Sequence, residues 1–94
     1  MNQYKETDKV KVELQNLRTA NRNRVIISKG SKSVFLYFSY DTLIAVDGVV
    51  SENVFSMTTG KFLNELEPNK KKRVPHEKVL QEADKRIRDV LYDH

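Results

Sequence analysis

The chain has 94 residues and a formal net charge of +4, and 32% of its residues are charged against 38% that are hydrophobic. This length suits one domain over residues 1–94 with a core at about 8–92, and with so small a core a homodimer would bury further apolar surface. The absence of cysteine and of any apolar run near ~20 residues excludes disulfides, thiolate chemistry and a membrane span, and it fits a cytoplasmic protein.

The first predicted element is a helix from about Asp8 to Ala20. Val10, Leu14 and Leu17 recur at a spacing that would place them on one helical face. A polar connector of asparagines and arginines follows, and its composition disfavours helix.

Four short strands are predicted next, joined by tight turns as an antiparallel meander. The second strand is apolar on both faces and is therefore expected at the centre of the sheet. The dipeptide Asp47-Gly48 is a strong signal for a two-residue hairpin turn, because glycine tolerates positive φ. The four predicted strands are Val25–Ile27, Val34–Tyr40, Leu43–Val46 and Val49 to about Met57.

Two helices are predicted at the C-terminal end. A short one begins at Thr58 or Thr59 and ends before Pro68, and a long amphipathic one begins near Pro75 and continues to Tyr92. The predicted fold is therefore an α+β domain with an N-terminal helix, a four-stranded antiparallel meander and two C-terminal helices.

The residues that usually carry catalysis are sparse. His76 and His94 are the only histidines, and neither has the spacing of a metal ligand pair. The three glycines are isolated, which excludes a phosphate-binding loop, and no serine lies in a nucleophile elbow. We therefore expect no enzymatic activity, no metal and no cofactor.

Basic and aromatic side chains are the best candidates for binding. The basic ones would contact nucleic acid or an acidic partner, although a solvated loop is the simpler explanation of the cluster of four in the second half. The aromatic ones would anchor a protein partner if they face outward, and they would form core if they do not. The basic candidates are Arg18, Arg22, Arg24, Lys70, Lys71, Lys72 and Arg73, and the aromatic candidates are Phe35, Tyr37 and Tyr40.

The start of the short helix offers one further candidate. Thr58 and Thr59 would cap a helix whose free backbone N–H groups lie beside Lys61, and such a terminus can bind an anion. The alternative is a purely structural cap at the junction of strand and helix.

Two runs of the sequence, Ser39–Ala45 and Ser56–Asn64, carry a resemblance to a known kind of domain. They resemble a small domain of bacteriophages and mobile elements with the pattern S-Y-x-T-x-I-A followed by S-x-T-T-x-K-H-I-N, and the similarity covers about residues 24–66. The chain departs from it at Phe62, where the family has histidine, and at Leu63, which replaces isoleucine. The resemblance implies origin and fold, and no activity.

Two functional hypotheses follow. The first is a non-enzymatic protein of phage or mobile-element origin in the cytoplasm of the bacterial host. It would occupy a host protein or protein–nucleic-acid complex, for example as an inhibitor of a defence system such as a CRISPR nuclease complex. The alternative is an accessory protein that binds DNA or RNA through its basic residues.

Overall fold

The computed structural model of the chain describes residues 9–19 and 21–92. An antiparallel sheet of five strands comes first, with neighbours in chain order, and two helices follow it. A single 3-10 turn, Lys70–Lys72, separates the helices. The strands are β1 (Val10–Asn16), β2 (Arg22–Lys29), β3 (Lys32–Ser39), β4 (Thr42–Val46) and β5 (Val49–Val50), and the helices are α1 (Met57–Leu66) and α2 (His76–Tyr92).

The predicted N-terminal helix is wrong, and the sheet has five strands rather than four. The segment that was expected to be helical forms the edge strand β1, which pairs with β2 along its whole length. Val10 and Leu14 share a face in a strand as well as in a helix, since a spacing of four residues fits both periods. Val12 on the same strand face completes an alternation of period two. The predicted helix ends, Asp8 and Ala20, lie outside the described residues.

The strand predicted from Val49 to about Met57 is also shorter than expected. Only Val49–Val50 pairs with β4, and Ser51 then makes an isolated parallel bridge with Val74. Residues 52–56 carry the chain away from the sheet to the start of α1. The β-branched valines therefore form a strand only where a neighbouring strand is available to pair with them.

The two helices lie on opposite faces of the sheet. The long helix α2 covers one face, where its buried side chains pack against those of the central strands. The short helix α1 covers the part of the other face over β4 and β5, and it reaches Ser39 at the end of β3 and Arg22 at the start of β2. The first core contains Val34, Leu36, Val46, Val79, Ala83 and Val90, and the second contains Ile44, Ala45, Val50, Phe62 and Leu63.

A β-bulge allows two successive residues of β4 to serve the same core. The register between β3 and β4 shifts after Tyr37, which leaves Ile44 as an extra residue. Ile44 and Ala45 both pack into the cluster beneath α1, where each has no exposed surface. Because of the bulge, two adjacent side chains of β4 face α1. The apolar surface beneath this helix is therefore larger than strict alternation of the β4 side chains would give.

The rest of this face, over β1 and over β2 and β3 apart from the ends that meet α1, has no helix above it. We name this surface the open face. Strand alternation and register place nine side chains on it: Lys11, Glu13, Gln15, Arg24, Ile26, Ser28, Ser33, Phe35 and Tyr37. Across residues 9–19 and 21–92, no helix is long and apolar enough to cross a membrane.

Candidate functional site

Arg24 is the centre of the open face. It lies opposite Tyr37 in the register between β2 and β3, and its guanidinium carbon is 5.5 Å from the centre of the Phe35 ring and 5.9 Å from that of Tyr37. Both distances lie within the range of a cation–π interaction. One arginine therefore joins two neighbouring aromatic rings into a single surface.

The neighbouring strand β1 holds this arginine in place. Arg24 Nε donates a hydrogen bond of 2.9 Å to Gln15 Oε1, and its Nη2 donates to the same oxygen. Gln15 Nε2 in turn donates to Glu13 Oε2 at 3.0 Å. The guanidinium is thus oriented by an amide rather than neutralised by a direct carboxylate contact, so its positive charge remains available at the surface.

The aromatic candidates separate into two groups. Phe35 and Tyr37 are half-buried on the open face, and Tyr37 also borders the core beneath α1. Tyr40 is exposed in the turn between β3 and β4, where its φ of 57° lies in the left-handed region. Only the first two therefore form the surface around Arg24.

Arg22 lies at the margin of the open face, next to α1. It forms an ion pair with Glu65, and its guanidinium carbon is 4.9 Å from the centre of the Phe62 ring. Arg18 is exposed in the turn after β1, with a φ of 77°. Both arginines line a groove of about 400 Å³ together with Phe62 and Glu65. This groove adds two basic residues and one acidic residue beside the open face.

The second basic segment lies elsewhere. Lys70, Lys71 and Lys72 are exposed in their 3-10 turn, which the Asn69 side chain caps by accepting from the Lys71 N–H. Past this turn, Val74 bridges to Ser51 beyond β5, the sheet edge farthest from β1. Arg22 pairs with Glu65 and Arg73 bonds to the neighbouring Asn64, so both basic segments border the last turn of α1.

Arg73 has a structural role at the end of α1. Its Nη2 donates to Asn64 Oδ1 at 2.6 Å, and its Nε donates to the Glu67 carbonyl at 3.0 Å. The side chain is half-buried. It closes the last turn of α1, unlike the three exposed lysines before it.

The start of α1 differs from the prediction, because Ser56 is its cap rather than Thr58 or Thr59. The Thr59 N–H donates to Ser56 Oγ at 3.2 Å, and the buried Thr59 hydroxyl is 2.8 Å from Ser39 Oγ. Thr58 and Lys61 are exposed. One N–H group of the predicted anion site is therefore already bonded, and Thr59 ties the helix to β3.

The histidine in the described part of the chain is also used structurally. His76 Nε2 forms a hydrogen bond of 2.8 Å with the Leu43 carbonyl, and its ring is nearly perpendicular to that of Phe55, with the ring centres 5.0 Å apart. His94 lies outside the described residues. No group of three histidine or carboxylate side chains suited to a metal ion occurs within residues 9–19 and 21–92.

Basic and aromatic residues do not alternate along any one strand of the described sheet. The sheet brings the two types together across strands instead, because the basic strand β2 pairs with the aromatic strand β3. The two-residue turn Gly30-Ser31 was the feature of the sequence from which this pairing of β2 with β3 could have been predicted. Counting outward from that turn pairs Ile26 with Phe35 and Arg24 with Tyr37.

One family model matches the chain, over residues 6–82, and it describes a family of unknown function, DUF8033. No curated protein and no solved structure matches the chain.

Proposed function

We propose that this chain, which belongs to the family of unknown function DUF8033, is a non-enzymatic protein that binds single-stranded nucleic acid through its open face. The observation that supports this function is the position of Arg24 over Phe35 and Tyr37. Bases that are not paired stack on aromatic rings and on guanidinium planes, and these three side chains offer both kinds of surface side by side.

The charges around this surface favour a polyanion. Lys11 and Arg24 belong to the open face, and Arg18 and Arg22 lie at its margin. The acidic groups nearby are Glu13 and Glu65, so positive charge is in excess there. If bases stack on this surface, the phosphate groups of the same nucleic-acid strand would lie close to these basic side chains.

Substitution of Tyr37 tests this function. We expect Tyr37→Leu to weaken binding of a fluorescently labelled single-stranded oligonucleotide about tenfold, because stacking of a base on an aromatic ring contributes about 1–3 kcal/mol. Leucine keeps an apolar side chain beside α1, so the fold should persist. The matched control is Tyr92→Leu, which removes a tyrosine that is 71% exposed at the end of α2.

Fluorescence anisotropy of labelled DNA and RNA strands at low salt measures both variants. Equal affinities for Tyr37→Leu and Tyr92→Leu, or no binding by the unaltered chain, would refute the proposal. Alanine at Lys70, Lys71 and Lys72 should leave the affinity and its salt dependence nearly unchanged, because these lysines lie beyond α1. A large loss in that variant would favour the basic turn as the nucleic-acid site instead.

A second candidate function is the inhibition of a bacterial host complex, such as a CRISPR nuclease, in the host cytoplasm. The observation that favours it is the row of three exposed lysines at Lys70–Lys72, which would suit an acidic surface on a host protein. Affinity capture from host lysate, with the triple alanine variant as control, tests this candidate. Recovery of the same proteins by both baits, or of none, would refute it.

A further inference from the structure

Three apolar side chains are exposed on the edge strand β1. Val10, Val12 and Leu14 point to the face that carries α2, because their partners on β2 include Val25 and Ile27 of that core. The helix packs over β2, β3 and β4 and stops short of β1. Val10, Val12 and Leu14 are consequently 50%, 65% and 74% exposed. Burial of this apolar strip would be favourable, and α2 does not provide it.

The backbone of β1 is suited to pairing with another strand. Its seven residues contain no proline and no bulge, two common devices that keep an edge strand from pairing, and its two charged residues, Lys11 and Glu13, have opposite signs. Within the described sheet, β1 has a neighbour on one side only. Alternate N–H and C=O groups of β1 therefore point away from the sheet.

We propose that β1 pairs antiparallel with β1 of a second copy of this chain, about a two-fold axis that lies midway between the two Val12 residues, at right angles to the sheet. Residues directly opposite in an antiparallel pair point to the same face, so such an axis must lie midway between the two copies of one residue. With the axis at Val12, Lys11 of each copy lies opposite Glu13 of the other. Val10 likewise lies opposite Leu14.

Charge complementarity selects this register over its neighbours. An axis midway between the two copies of Lys11 would place two lysines directly opposite, and an axis midway between the two copies of Glu13 would do the same with two glutamates. Axes nearer the ends of β1 would shorten the pairing. The Val12 register joins the two apolar strips on one face and forms two opposite-charge pairs on the other. The result is a closed dimer with a continuous sheet of ten strands.

Sedimentation analysis of the full chain tests the dimer. We expect the unaltered chain to have twice its mass of 11.0 kDa, and Val12→Lys to have the single mass, because two lysines would meet at the axis. The matched control is Val54→Lys, since Val54 is also 65% exposed but lies in the loop before α1. This control should remain dimeric. Circular dichroism verifies that both variants are folded.

A charge exchange tests the register itself. Lys11→Glu and Glu13→Lys should each weaken self-association, since each places like charges opposite one another. A mixture of these two variants should form a heterodimer, because every opposed pair is then complementary. A monomeric unaltered chain, a Val12→Lys variant that remains dimeric, or a mixture that stays monomeric would overturn the proposal.

Discussion

At the scale of single residues, the pair Ser39 and Thr59 joins the sheet to α1. Their hydroxyl oxygens are 2.8 Å apart, and each residue is 4% exposed. The Ser39 hydroxyl therefore cannot turn to water if Thr59 is removed, whereas the Thr59 hydroxyl also accepts a hydrogen bond of 3.3 Å from Ser56 Oγ. A buried polar group without a partner costs more than the net gain from an ordinary hydrogen bond.

We expect Thr59→Val to lower the free energy of unfolding by about 1–3 kcal/mol, because valine keeps the shape but leaves the Ser39 hydroxyl unsatisfied. The double variant Ser39→Ala with Thr59→Val should lose less than the sum of the single losses. Urea unfolding measures all three. Thr58→Val is the control, since Thr58 is the exposed neighbour. Strictly additive losses would show that the two hydroxyls do not act as a pair.

At the scale of elements, one arginine connects α2 to the turn between β4 and β5. Arg86 Nη1 lies 2.9 Å from Asp47 Oδ2, and its Nε lies 3.1 Å from Glu82 Oε2. Asp47 Oδ1 also accepts from the Phe35 N–H at 3.0 Å. The hydrogen bond to Asp47 raises the pKa of Arg86, and the hydrogen bond from Arg86 lowers the pKa of Glu82 despite the opposing effect of desolvation.

This contact predicts a pH dependence of stability. Because the pKa of Glu82 is lower in the folded chain, its contribution is complete above the ordinary glutamate value and is lost as the pH falls through the lowered value. We expect Glu82→Gln to make the free energy of unfolding fall less steeply toward acid pH. Urea midpoints at a series of pH values measure this slope.

The control for this series is Asp84→Asn on the same helix. Asp84 pairs with Arg88 at 3.2 Å, and both side chains are well exposed, so this pair should contribute little. Acid sensitivity that is identical in Glu82→Gln and in the unaltered chain would contradict the role given to the contact of Arg86 with Glu82.

At the scale of the whole molecule, the two proposals have a joint consequence. A two-fold axis at right angles to the sheet leaves both open faces on the same side of the dimer. A nucleic-acid strand long enough to cross both faces would bind twice, and the second event would be intramolecular. The dimer would thus present one extended surface rather than two separate sites.

We therefore expect Val12→Lys to bind a long single strand more weakly than Val54→Lys does, while the two variants bind a short strand equally well. Both variants add one positive charge, so the comparison isolates the effect of the dimer. Anisotropy titrations with strands of increasing length measure it. Equal affinities at every length would show that the two faces act independently.

The local sequence determined much of the second half of the chain. The Asp47-Gly48 turn, the central β3 strand and the long helix after Pro75 were predicted from a glycine, from an apolar run and from helical periodicity, and all three occur in the structure. The residue with positive φ in that turn is Asp47, at 50°, rather than Gly48. Helical signals likewise predicted that two helices would follow the sheet. These signals act over a few residues and need no distant partner.

The conformation of the first segment and the arrangement of the candidate site depend on tertiary structure alone. Val10 and Leu14 fit a helix and a strand equally well, and only the pairing with β2 makes this segment a strand. The candidate site likewise depends on register, because Arg24 meets Phe35 and Tyr37 across two strands rather than along one. Contacts between distant segments leave no periodic pattern in the sequence. Local patterns could therefore identify these residues as candidates, but they could not predict that the residues would be in contact.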